Sequence, residues 1–439
     1  MREYSFIFDE GLKVGLLPKE KIRRNEPGLI EAYNIRIAEN GVLPYEAITN
    51  SFSGLPATVW PYPQVFYLKR GIVLTTGTQI YTADDSYVCS LVGTFAEGGL
   101  WSCADYGDYQ VFANGAVVVY RDTTTGTYTQ ELLMPHTISS ICDFNGQVVA
   151  GNFGTGMTNW VGWSDIGSST LTQILSPDIK NTRGFMPVGF RGAIQCVKKL
   201  GKGVMVYGTD GVSYIMPAST TFGKQDLLSY GIPGRGFISG DDKIHLFIDS
   251  YNRVHTIDAN LKHNILDYSN YIVNLVNDIS ITYDTLLSTF YISDGVRCYR
   301  LEKGLSEIFQ SPSGIARVGA SIIGKTYDDT DVSAYFTTNT FDMQNRSIKF
   351  IQTVEASINT LTAQGAVDYA YTIAESMLRS RLRTINKKGV FTPGVSGVDL
   401  RVHIVAASYI GFALDYLVVH FKNTDKTTMR GPHAEPTNM

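Results

Sequence analysis

The octapeptide Gly319-Ala-Ser-Ile-Ile-Gly324-Lys325-Thr326 fits the pattern of a phosphate-binding loop letter for letter. That chemistry needs a strand before the loop, glycine-rich turns that expose amides, and a helix whose N-terminus faces the phosphate. Here the loop interior is Ile322-Ile323, stiff and apolar, and another strand-like run follows. The stretch therefore reads as a strand with a turn, and Lys325 is expected to have no phosphate-binding role. Asp328-Asp329-Thr330-Asp331 offers carboxylates to a hard cation, but the Gly and distal Glu of an EF-hand loop are missing, so it reads as a solvated loop. The seven histidines form no His-Glu-x-x-His or comparable pair. His245 and His255 fall on opposite sides of one hairpin and read as polar-face strand residues. Asp84-Asp85 and Asp241-Asp242 sit at turns, where Asp bonds locally to the backbone. A glycosidase would need two carboxylates facing one another across a cleft. Ser164-Asp165-Ile166-Gly167 lacks the spacing of a sialidase Ser-x-Asp-x-Gly-x-x-Trp box, and the Gly-x-Ser-x-Gly elbow and the Trp-Asp repeat dipeptide are absent. These residues imply no catalytic residue, no metal and no cofactor.

The elements that would carry such residues are hairpins. Gly203 to Leu305 contains three, turned at Thr209-Asp-Gly211, Ser250-Tyr-Asn252 and Ser293-Asp-Gly295. Asp-Gly between β-rich runs is a strong hairpin signal, since Gly accepts the positive φ that such turns demand. Gly71–Tyr81, Tyr109–Tyr120, and Gln147–Ala150 with a return at Trp160–Trp163 add three more. Hairpins about 40 residues apart, with room for another strand pair between them, have the rhythm of propeller blades. A blade buries both sheet faces only by stacking on its neighbours. The same strands could instead build two sandwiches; the propeller is the preferred reading.

The expected fold is all-β: a β-propeller of about six blades over 51–315, then a β-sandwich-like domain over 320–424. Residues 1–50 read as an extended arm with one hairpin, turned at Asn40-Gly41. Residues 425–439 read as a tail without apolar periodicity. Asp368–Arg383 is ambiguous, alternating like a strand at Tyr369, Tyr371 and Ile373 and then helix-like over Ala374–Leu382.

Composition narrows the class of protein. Charged residues are only 18% of the 439, against about 25% in typical soluble domains. With 26 Tyr and 21 Phe, this suits a chain that hides surface in subunit contacts. A net charge of −4 does not favour tight nucleic-acid binding. The five cysteines, odd in number and scattered, read as free thiols, most of them buried, made in a reducing compartment. A charged N-terminal stretch argues against a signal peptide, and no apolar run is long enough for a membrane span.

Several stretches together resemble the tail nozzle (tail tubular) proteins of short-tailed bacteriophages. They are Leu29-Ile-Glu-Ala-Tyr-Asn-Ile-Arg-Ile with Asn40-Gly-Val-Leu-Pro-Tyr-Glu, Trp160-Val-Gly-Trp-Ser-Asp-Ile-Gly, Gly211-Val-Ser-Tyr-Ile, Gly231-Ile-Pro-Gly-Arg-Gly and His245-Leu-Phe-Ile-Asp-Ser. Phe341-Asp-Met-Gln-Asn-Arg-Ser-Ile-Lys-Phe-Ile and Asp425-Lys-Thr-Thr-Met-Arg430-Gly431 extend it towards the C-terminus. The resemblance implies a structural virion protein, made in the host cytoplasm and carried in the tail, that catalyses nothing. It implies a ring, expected as a homohexamer, that retains genomic DNA and passes it during ejection without sequence-specific binding. Its partners would be copies of itself, adaptor or connector proteins at the head–tail connection, and tail fibres. Arg23, Arg24, Lys387 and Lys388 are then expected at subunit or neighbour contacts, away from the channel. The alternatives are a propeller glycoside hydrolase or sialidase-like enzyme, and a head–tail connector, stopper or tail-hub protein.

Overall fold

The computed structural model describes residues 3–427, apart from 107, 177–181, 219–220, 320, 329, 344–345, 359–361 and 373–375. It is nearly all-β, with 4% helix and 52% strand. The chain divides into two compact units: 47–298 with 310–328, and 1–46 with 299–309 and 329–439.

The first unit is a propeller. Five four-stranded antiparallel sheets follow in chain order, their innermost strands being Gln64–Leu68, Ser102–Tyr106, Ser140–Phe144, Ile194–Leu200 and Ile238–Gly240. A sixth position is opened by the pair Ser280–Asp284 and Thr289–Ser293. A seventh, three-stranded sheet joins Gln310–Val318 and Ser321–Asp328 to the short strand Thr49–Asn50. The ring thus has seven positions, where the turns point to about six. The six expected hairpins are the middle strand pairs of blades one to six.

Closure explains the extra blade. Thr49–Asn50 lies parallel to the seventh blade, Thr49 opposite Ile323. Gln310 fixes it there, accepting from Ile48 N at 2.6 Å and donating to Ile48 O at 3.0 Å. Phe52, just past that strand, and Leu74 and Tyr81 of the first blade then bury against Ala316 and Ile323 of the seventh. The other blades stack the same way: Val73, Ile80, Trp101 and Phe112 between the first and second, Trp163, Val206 and Phe222 between the third and fourth. Polar side chains stitch neighbouring inner strands. Gln64 Oε1 accepts from Trp101 N, Ser102 Oγ from Ile141 N and Ser140 Oγ from Val197 N, at 2.7, 3.0 and 2.9 Å.

The phosphate-loop look-alike is part of the seventh blade. Gly319 turns a β-hairpin, Lys325 stands mid-strand, and Ile322 and Ile323 are buried. Residues 310–328 therefore belong with the propeller, although their longer runs and poor turn signal place the boundary near 315–320 from sequence.

The second unit is built from three separate stretches of chain. One sheet runs in the order Glu3–Ile7, Leu417–Thr427, Ser347–Ala356, Val390–Phe391, with Val395–Gly397 also on Ser347–Ala356. The other includes Leu305–Ile308, Leu29–Tyr33, Ala334–Thr338, Asp399–Ala406 and Gln364–Ala370, edged by Leu378–Arg379 and Arg383–Thr384. The sheets meet where Gly365 leaves room for the Phe391 ring and Gly397 for Tyr369, which makes the unit sandwich-like. Residues 3–46 are therefore not an arm: Glu3–Ile7 pairs with Leu417–Thr427, and the expected hairpin forms between Ile35–Ala38 and Gly41–Pro44. The last strand runs to Thr427, past the point where the tail was expected to begin; residues 428–439 lie outside the described ones. Leu378–Arg379 is a strand where the sequence reads helix-like, and 373–375 are outside the described residues.

Candidate functional site

The inner strands of all seven blades surround an axial cavity of about 410 Å³. Its charged lining is mixed: Asp143, Asp241 and Asp242 against Lys198, Lys199 and Arg235. Asp241 is committed to its turn, accepting from Lys243 N and Ile244 N, and Lys199 lies 3.9 Å from Asp242. Cys103, Cys142 and Cys196 also line it. All five cysteines are free, and burial pushes the Cys103 and Cys142 thiols well above the ordinary range, so both are neutral near pH 7.

Arg235 stands between this cavity and a second one of about 420 Å³, lined by 97–100, 114–116, Ser139, Asn152, Ile194 and Gln195. The Gly-Ile-Pro-Gly-Arg-Gly stretch places it. A Cβ on Gly231 would lie 1.9 Å from Gly208 O, and one on Gly236 would lie 2.2 Å from Ile279 O. Only glycine lets the connection between the fourth and fifth blades pass so close to its neighbours. The guanidinium then reaches from the fifth blade to main-chain carbonyls elsewhere in the ring, donating to Leu100 O and, at 3.3 Å, to Gln195 O. Burial lowers its pKa to about 10, which leaves it cationic at neutral pH.

The fifth blade holds a second polar assembly. Asp249, fully buried, accepts from Tyr251 N and Arg253 N, from Arg253 Nε at 2.8 Å, and pairs with His255 Nε2 at 3.0 Å. His255 Nδ1 faces His263 Nε2 at 3.0 Å, and the two rings stack at 10°. Asp249 accepting from His255 Nε2–H leaves His255 Nδ1 to accept from His263. His245, also fully buried, has Nδ1 2.9 Å from Tyr207 Oη and Nε2 2.9 Å from Lys199 O. Both His245 and His255 are thus core residues, contrary to the polar-face expectation. Asp249 and the ring stacking hold His255 inward, Tyr207 and the Lys199 carbonyl hold His245, and no sequence signal marks either. Among the described residues no group of His, Cys, Asp and Glu is placed to hold a metal.

In the sandwich-like unit, Arg24 is not free to meet a neighbour. Its side chain is 24% exposed, pairs with Asp399 and lies 3.7 Å from Asp342. Lys349 is buried near the same carboxylates, its pKa pushed down to about 8 by burial and held up by Asp342 and Asp399. Burial raises the Asp399 carboxyl against the pull of Arg24. Sequence reasoning missed Asp342, Lys349 and Asp399; the available signal was Lys349 in the inward register of Ile351. Arg23, Lys387 and Lys388 are exposed, the lysines at a turn where Asn386 Oδ1 accepts from Lys388 N. Of the acidic loop, Asp331 caps Ser333 N, Asp328 meets Gln310 Nε2 at 3.4 Å, and 329 lies outside the described residues.

No family model matches the chain and no curated protein does. Solved structures share it only distantly. PorZ of Porphyromonas gingivalis, a surface component of a type-IX secretion system, aligns at TM-score 0.38 and 10% identity over 66% of this chain. The chain spans 36% of PorZ. The Pan2 WD40 domain of Neurospora crassa aligns at 0.39 and 8% identity, covering 63% of this chain and 86% of that one. BamB of Moraxella catarrhalis aligns at 0.36 and 13% identity, covering 85% and 98%. Likenesses this distant carry no functional argument; the propeller rests on the sheet order itself.

Proposed function

We propose that this chain is a structural virion protein, the ring-forming nozzle of a short phage tail, which retains DNA and then passes it. The observation that carries the reading is a low-charge chain with large apolar side chains left in water. Leu132 and Leu133 are each 82% exposed and Val276 78%, and Val59, Tyr251 and Ile410 are also well exposed. Such side chains are what a subunit covers on assembly. The stretches that resemble nozzle proteins also occupy structural positions: Gly231–Gly236 seats Arg235, and Asp342 joins the buried ion-pair cluster. Arg23, Lys387 and Lys388 remain candidates for neighbour contacts, while Arg24 serves its own unit. Mass measurement of the purified chain tests the reading: a single closed stoichiometry supports it, and a monomer at every concentration opposes it. The rival reading is a propeller glycosidase, which hydrolysis of a polysaccharide substrate would establish.

A further inference from the structure

We infer that the second propeller cavity is a binding site for an oxyanion, a carboxylate or phosphate group, gripped by Arg235. Arg235 is half-buried, and a charge drawn partly out of water is normally offset by an opposite charge, because desolvation is costly without one. Among the described residues Arg235 forms no ion pair; its partners are the carbonyls of Leu100 and Gln195. Carbonyl dipoles orient the guanidinium but do not neutralise it. A guanidinium offers five donors in a planar fork that matches carboxylate or phosphate oxygens. The cavity volume, about 420 Å³, lies within the range of small-ligand sites.

The remaining lining selects against other ligand classes. Asn114 Nδ2 donates to Ala96 O, and its Oδ1 accepts from Ala116 N and Val117 N. Asn152 likewise donates to Ile194 O and accepts from Gly154 N. Ser139 Oγ has no hydrogen bond among the described residues and lines the cavity as a second uncommitted donor. Glu97 is the acidic side chain of the lining; it is exposed, so water screens it. The site therefore offers one fixed cation and one hydroxyl, with the glycines 98, 99 and 115 leaving space beside them. This inference does not depend on whether the chain assembles into a ring.

Equilibrium dialysis of the full chain against radiolabelled inorganic phosphate and, separately, acetate tests it at constant ionic strength. Saturable uptake of one anion per chain is expected, and the anion taken up identifies the preferred geometry. Arg235→Gln should weaken that uptake by at least about 10-fold, the loss of one charge-assisted bond. Ser139→Ala, in a half-exposed position that should not disturb folding, should weaken it by a smaller factor. Lys387→Gln, on an exposed turn of the other unit, should leave it unchanged. No saturable uptake of either anion would overturn the inference. So would uptake that Arg235→Gln and Ser139→Ala, both still folded, leave at the wild-type level.

Discussion

His245 holds its neutral form because both ring nitrogens are occupied and no water reaches it. Burial lowers its pKa to about 3, with Lys198 adding to the effect. The unfolded chain, with an ordinary imidazole near 6.5, binds the extra proton first. Stability is therefore highest above that pH and falls as pH drops through 6.5 towards 3, by about 1.4 kcal/mol per pH unit for one such group. Burial depresses His255 and His263 in the same direction, though Asp249 pulls His255 back. Urea midpoints should thus fall between pH 6.5 and 5.5, where most carboxylates remain ionised. His245→Gln should flatten that dependence; an unchanged slope would remove His245 as its source. Asp249 is the other buried anchor. Asp249→Ala strips Arg253 and His255 of their common acceptor and should cost about 3 kcal/mol in denaturant unfolding. None of this was legible beforehand, since a histidine in an alternating strand reads the same whether its face is wet or dry. The turn at Ser250-Tyr-Asn252 was legible, but Asp249 just before it carries no local signal of the partners it gathers.

At the scale of elements, hairpins were legible and closure was not. Asp294 of the sixth blade shows why: its Oδ1 accepts from Val296 N and Arg297 N, a purely local device written in adjacent residues. The seventh blade depends instead on residues 262 apart in the chain, Ile48 and Gln310, which no short window contains. Gln310→Ala would leave Ile48 N and O without their side-chain partner, at a cost of about 2 kcal/mol. Gly231→Ala would drive a methyl against Gly208 O and should cost about 1–3 kcal/mol, with loss of ring order. A smaller effect of Gln310→Ala, read from unfolding midpoints, would mean that closure rests elsewhere. Placing 310–328 in a blade has a consequence for proteolysis. Ser311 and Ser313 are buried in an inner strand, so limited cleavage should fall at 328–333 and spare 311–314. Fragments mapped by mass spectrometry check this, and cleavage within 311–314 would contradict it.

For the whole molecule, the central claim is assembly. A subunit of a cyclic ring presents two different surfaces, and closure fixes one rotation between copies. Low charge and exposed large apolar side chains are what such surfaces require, and the sequence displayed the first of these openly. Which cations serve the contacts was only partly legible. Arg24 looked like Arg23, yet Asp342 and Asp399, more than 300 residues away in sequence, claim it. Native mass spectrometry of the purified full chain, repeated across protein concentration, tests the claim most directly. A single closed assembly of six 48.4 kDa chains that persists on dilution is the predicted result. A monomer at every concentration, or an open series of sizes without closure, would contradict it.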